Sequence, residues 1–276
     1  MKNILIIGAN GFTGRQILND LSNKEQYNAT GCSLHPDILP NGDGKYHFVT
    51  TDIRDEAAIK HLFKEAQPDA VINCSALSVP DYCETHHEEA YLTNVTAVEQ
   101  LAYLCEIYKS RFIHLSTDFV FDGKIDENSG QLYTEESLPA PVNYYGFTKW
   151  KGENRIAEIC SNYAIVRVEI VYGKALPGQH GNIVQLVMNR LNAGQEIRVV
   201  SDQWRTPTYV GDVSDGVQRL IENTANGIFH ICGDECMTIA EIAYQVADYM
   251  KLDRSLIHPT TTDCLLYTSP SPRDRG

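Results

Sequence analysis

Residues 3–14 read NILIIGANGFTG. Four apolar residues, Ile4 to Ile7, run without a polar break into Gly8, the pattern of a strand buried on both faces of a parallel sheet. Gly8, Gly11 and Gly14 follow at G-x-x-G-x-x-G spacing, and Thr13 to Leu21 then carry helical periodicity. Glycine tolerates positive φ and lets a pyrophosphate lie against the backbone. The amides and dipole of the helix start favour negative charge. Strand, glycine turn and helix in this order predict a dinucleotide site, with Gly8, Asn10, Gly11, Phe12, Thr13 and Gly14 as candidate contacts.

Working outward, strands are expected at 28–34, 46–50, 69–76, 111–117 and 164–173. Helices are expected at 55–65, at 88–109 and from about Asn143, and the polar stretch 122–142 reads as loop. This alternation predicts an α/β fold of Rossmann type, a doubly wound parallel sheet. Beyond Gly173 the pattern loosens. A helix at 183–194, a short strand at 196–200, a loop at 204–212, a helix at 213–224, a strand at 227–232 and a helix at 238–250 are expected. The organisation predicted is a cofactor domain over 1–173 and a smaller C-terminal substrate lobe drawn mainly from 174–263, with some elements returning to the first domain.

The usual carboxylate for the ribose hydroxyls should close the second strand. Cys32-Ser33-Leu34-His35 stand there, and Ser33 and His35 tolerate a 2′-phosphate, so the cofactor is NADP or NAD. Asp52 and Ile53 follow the third strand, in reach of an adenine. Cys74, Ser75 and Ala76 end the fourth strand with small side chains that let a cofactor lie close. Tyr145-Gly-Phe-Thr-Lys149 puts a phenol and an ammonium on one helix face. The ammonium lowers the phenol's pKa and readies Tyr145 to protonate a carbonyl that accepts hydride; Lys149 also suits the nicotinamide ribose. Alone, such a spacing is more readily a solvated helix face. Tyr144 competes, but Thr148 stands four residues beyond it. Ser116-Thr117-Asp118 ends the strand before this helix, at the sheet edge where open α/β folds bind ligands. Thr117 suits a hydrogen bond to the substrate carbonyl, and either hydroxyl suits capping of the strand end.

With GANGFTG, DAVINCSA, HLSTDFVFDG, Tyr133-x-Glu135, the Pro-x-x-x-Tyr-Gly-x-x-Lys block ending at Lys149, Gly152-Glu153 and RTPTYVGD, the chain resembles the extended short-chain dehydrogenase/reductases. Within them it is most similar to the dTDP-4-dehydrorhamnose reductase, or sugar-nucleotide-binding, group. The resemblance covers about residues 1–263. It implies Thr117, Tyr145 and Lys149 as the catalytic set, Thr117, Asp118 and Arg205 as substrate contacts, and Thr206 and Pro207 in the substrate lobe. It implies NAD(P)H-dependent reduction of a 4-keto group on a nucleotide-activated deoxysugar, and it allows a homodimer. Ile170 stands where the group often has a tryptophan. The related dehydratases carry an Asp-Glu pair after the threonine. Here Phe119 follows Asp118, which favours reduction over elimination. An epimerase and a non-catalytic NADP-binding subunit, like the beta subunit of methionine adenosyltransferase, are the alternative readings.

A net charge of −13 argues against nucleic acid or an anionic membrane as partner, and leaves room for one phosphorylated ligand. The eight cysteines are irregularly spaced, several in apolar runs, and read as reduced thiols. Cys232, Cys236 and His230 offer too few ligands, so no metal is expected. No apolar run has the length of a signal sequence or a membrane span, and the expected location is the cytoplasm. CLLYTSPSPRDRG (264–276) resembles the in-frame translation of a sequencing adapter and is expected to be a non-native tail.

Overall fold

The computed structural model describes residues 1–39, 45–124, 132–179 and 181–262. In chain order its strands are β1 Lys2–Ile7, β2 Tyr27–Ser33, β3 His47–Thr50, β4 Ala70–Asn73, β5 Arg111–Thr117, β6 Tyr163–Val168, β7 Val171–Tyr172, β8 Ile197–Val200, β9 Trp204–Arg205, β10 Thr208–Tyr209, β11 Gly227–Ile231, β12 Met237–Thr238 and β13 Ile257–Thr260. Its helices are α1 Phe12–Ser22, α2 Glu56–Ala66, α3 Pro80–Thr85, α4 His87–Tyr91, α5 Ala97–Tyr108, α6 Tyr144–Ile159, α7 Ile183–Asn192, α8 Val210–Glu222 and α9 Ile239–Met250. The chain divides into one unit of residues 1–168 and 211–231 and a second of 169–210 and 232–276.

The first unit holds a seven-stranded parallel sheet in the order β11-β6-β5-β4-β1-β2-β3. From β3 to β6 this is the strand order of dinucleotide-binding folds, whose ligand crevice opens where the order reverses, between β1 and β4. Leu5, Ile7, Val71, Phe112 and Ile165 pack against Phe63, Leu101, Cys105 and Ile156 in one buried cluster. Apolar burial of this kind contributes about 25 cal/mol per Å². In the second unit, Val187 and Leu191 of α7 pack with Ala243 and Ala247 of α9, over β8 and β13.

Three expectations needed correction. The helix expected over 88–109 is interrupted by one π-helical turn, Leu92–Thr96, that carries Asn94. Asn94 exchanges two hydrogen bonds with the Leu77 backbone and donates to Thr148 Oγ1 of α6. The stretch expected to be loop at 204–212 contains β9 and β10 and the start of α8. These two-residue pairings with β12 and β7 are too short to leave a period in the sequence. The expected strand 164–173 breaks after Val168, because Ile170 adopts φ +36°. Part of the expected loop 122–142 lies outside the described residues, as does the expected tail from Cys264. None of the seven described cysteines forms a disulfide.

A β-branched residue at positive φ carries about 1–3 kcal/mol of strain. Ile170→Gly is therefore expected to stabilise the protein by about 1 kcal/mol, after the entropic cost of glycine. A higher urea midpoint at unchanged slope would show this. A lower one would mean that side-chain packing at Ile170 outweighs the strain.

Candidate active site

Gly8 leaves β1 at φ +79° and turns the chain beneath the end of β4. A Cβ there would lie 2.7 Å from the Ser75 amide nitrogen and 2.8 Å from the Cys74 carbonyl carbon. A Cβ at Gly14 would lie 2.3 Å from Gly8 O. The turn is thus closed by backbone-on-backbone contact that only glycine permits. Gly11 is the N-cap of α1, gives no side-chain cap, and no acidic residue follows in the first turn. The first amides of a helix lack intrahelical partners, so this end suits an anion. Phe12 and Thr13 are half-buried beside it. The fit to a dinucleotide's pyrophosphate is carried by this glycine cradle.

Asn10 ties the turn to the segment after β2, donating to His35 O and Pro36 O at 3.0 and 2.8 Å. Its Oδ1 accepts from Arg15. The buried Arg15 also pairs with Asp37 at 2.5 Å, and Tyr46 Oη donates to the same carboxylate at 2.7 Å. A carboxylate thus stands four residues after Ser33, engaged by Arg15 and Tyr46. Sequence reading missed both Asp37 and Arg15. The one signal was an arginine inside the apolar face of α1, which a buried helix tolerates only with a partner. Asp52, after β3, is engaged by Arg54, whose hydrogen bonds hold its carboxyl below the usual range. Ile53 beside it is buried.

Asn143 caps α6 by accepting from Gly146 N at 2.7 Å. A Cβ on Gly146 would lie 2.0 Å from Phe119 O, and one on Gly152 would lie 2.5 Å from Asn94 O. The helix is therefore pressed onto the chain leaving β5 and onto the π-helical turn. Tyr145 is 8% exposed, its ring 5.6 Å from that of Phe119 in edge-to-face contact. Thr117 Oγ1 accepts from Phe119 N at 3.2 Å and donates to Asp118 Oδ1 at 3.0 Å. Thr117 is thus the residue that caps this strand end, and Ser116 instead donates to Glu153 at 2.5 Å.

Lys149 differs from expectation. It is 1% exposed, and Nζ lies 2.9 Å from His114 Nε2 and donates to Leu115 O at 2.8 Å. The helical spacing places it one turn from Tyr145, while these bonds direct it into β5. Burial pulls its pKa down to about 8, against the attraction of Glu153. Cys74 lies near enough for the ammonium to oppose the effect of burial, which pushes its thiol up to about 12. His114 reaches Asn73 through its other nitrogen. Ser75 is held by Asn73, and Ala76 is half-buried beside it.

Beneath Thr117, Glu153 forms a buried two-point ion pair with Arg167 at 3.1 and 2.7 Å. Neither residue was singled out as functional from sequence. Arg205 belongs to the second unit, where it pairs with Glu169 at 3.4 Å. Glu169 also accepts from Thr206. The first unit therefore gathers Gly8, Gly14, Cys74, Ser75, Thr117, Tyr145 and Lys149 around the carboxyl ends of β1, β4 and β5.

Residues 1–274 match the family model described as the RmlD substrate binding domain. The chain is 32% identical over 271 residues to the probable low-salt glycan biosynthesis reductase Agl14 of Haloferax volcanii, covering 97% of this chain and 87% of that one. It is 31% identical over 267 residues to the methionine adenosyltransferase 2 subunit beta of Xenopus laevis, covering 95% of this chain and 76% of the relative. Among solved structures, the dTDP-4-dehydrorhamnose reductase of Bacillus anthracis, in complex with NADP, superposes with a TM-score of 0.82. That match has 27% identity and covers 95% of this chain and 85% of the other.

Proposed function

The chain belongs to the RmlD substrate binding domain family, and from that premise we propose that it is a reductase using NADPH or NADH. The substrate proposed is a nucleotide-activated deoxysugar bearing a 4-keto group. The observation that supports this reading is the close approach of α6 at Gly146 to Phe119 O, where the Tyr145 ring packs against Phe119 just after β5. The neighbouring strand, β4, ends at the Cys74–Ser75 backbone that abuts Gly8.

The nicotinamide nucleotide, when bound, supplies the hydride. The chain's residues do the rest. The start of α1, with Gly8, Asn10, Gly11, Phe12, Thr13 and Gly14, holds the pyrophosphate. Asp52 and Ile53 line the adenine end, and Cys74, Ser75 and Ala76 give a close floor. Lys149 holds the ribose. Tyr145 gives its proton to the carbonyl oxygen that becomes a hydroxyl. Thr117, turned from Asp118, donates to the same oxygen. Asp118 contacts the sugar. Among the described residues no helix is long and apolar enough to cross a membrane, and the location proposed is the cytoplasm.

The similarity to methionine adenosyltransferase 2 subunit beta favours one second reading, a subunit that binds NADP without turning it over. Turnover separates the two. The purified protein is expected to oxidise NADPH or NADH when given dTDP-4-dehydro-6-deoxy-L-mannose or another ketone of a nucleotide-sugar panel. Tight NADP binding with no oxidation across the panel would favour the binding subunit instead.

A further inference from the structure

One run of buried hydrogen bonds has a fixed direction. Ser75 N and Ser75 Oγ both approach Asn73 Oδ1, at 3.0 and 2.6 Å. A backbone N–H only donates, so the carboxamide oxygen must face Ser75. The Asn73 amide nitrogen then faces His114 Nδ1, at 3.1 Å. That nitrogen also only donates, so His114 Nδ1 accepts and carries no proton. Both side chains are fully buried. Burial holds the imidazole well below its usual pKa, and Nδ1 already accepts, so the ring is neutral. Its single proton is therefore on Nε2, which lies 2.9 Å from Lys149 Nζ.

An N–H needs an acceptor. An ammonium has none, whereas an amine has one lone pair. Lys149 satisfies His114 only as the neutral amine, with its own hydrogen donated to Leu115 O. The other groups facing Nζ do not reverse this. The Cys74 thiol is neutral, Glu153 is engaged by Arg167 and Ser116, and Tyr145 lies one turn back on the same helix.

We propose that His114, oriented by Asn73 and Ser75, is a positioning residue that favours the amine form of Lys149 in the free protein, so that cofactor binding in alkaline solution takes up a proton from solvent. The new N–H bond forms on Nζ as the donor's bond to that proton breaks, a solvent hydronium leaving as water or a buffer acid as its conjugate base. The ammonium then loses its contact with Nε2–H and turns to acceptors in the crevice, such as ribose hydroxyl oxygens. This deepens the function proposed above and rests on it for the cofactor. The sign follows from linkage. Above the lysine's value of about 8 the free protein lacks the proton and binding must supply it; well below that value the uptake vanishes.

The first test needs no variant and no cofactor. Long-range ¹H–¹⁵N correlation on the free protein, at a pH about one unit above the lysine's pKa, should show His114 protonated at Nε2. A ring protonated at Nδ1 overturns the proposal. The second test is calorimetry of NADPH binding at that pH, in two buffers of different ionisation heat. Uptake is expected to approach one proton in the wild type and to fall by more than half in His114→Gln, whose side-chain oxygen accepts from the ammonium. Wild-type binding without uptake overturns the coupling even if the tautomer is as expected, and if His114→Gln does not fold that wild-type result alone decides. Failure to bind either nucleotide overturns the functional reading, and the coupling with it.

Discussion

Tyr145→Phe is expected to lower turnover by about 10²–10⁴-fold, the range for removal of a general acid, with NADPH affinity nearly unchanged. The substitution is chosen for what it preserves. The ring is buried beside Phe119, and phenylalanine keeps that edge-to-face contact. The α6 start is set by the Asn143 cap and by the Gly146 approach to Phe119 O, neither of which involves the tyrosine side chain. Only the hydroxyl is lost. A variant that unfolds at the wild-type urea midpoint, binds NADPH and turns over slowly gives Oη the proton-donating role. Full activity would remove Tyr145 from the reaction. Weak nucleotide binding would place the hydroxyl in the binding site instead.

The parts of this architecture that were legible in the sequence depend on single residues or short runs. Gly8 announces a turn because positive φ is a property of one residue. Ile4 to Ile7 announces a strand because a wholly apolar run fits a sheet covered on both faces. Tyr145 and Lys149 announce a shared helix face. What could not be read is which polar groups meet across the sheet. Asn73 finds His114, and Ser116 stands beside Arg167, only through the parallel registers of β4 with β5 and β5 with β6. A signal existed. Asn73, His114 and Arg167 interrupt otherwise apolar strands, and a buried polar group is tolerated only with a partner. The sequence names no partner, because each lies on another strand or on α6. Ile170 was unreadable for a different reason: nothing in a β-branched side chain forecasts positive φ.

Glu153 gives the largest expected loss of stability. Its carboxylate and the Arg167 guanidinium are each 3% exposed, joined at two points, and Ser116 donates to the same carboxylate. Arg167 also lies 5.0 Å from the Phe121 ring centre, and its Nη1 is buried without a partner. Glu153→Ala leaves that cation uncompensated and the Ser116 hydroxyl without its acceptor. Breaking a buried pair on one side costs about 3–5 kcal/mol. Replacing both members by apolar residues of similar volume, Glu153→Leu with Arg167→Met, should recover most of this, because no buried charge remains. Urea denaturation of the three proteins checks the ordering: the single variant far below wild type, the double variant close to it. A double variant as unstable as the single one would mean that packing volume, not charge, governs the site. The second readout is electrostatic. Glu153 attracts the Lys149 proton, so removing it should lower that lysine's pKa further. Any activity limb set by Lys149 should then move to lower pH, in the direction opposite to His114→Gln, whose side-chain oxygen accepts from the ammonium. The two substitutions act on one lysine with opposite sign, since one removes an attracting carboxylate and the other puts an acceptor where a ring N–H stood.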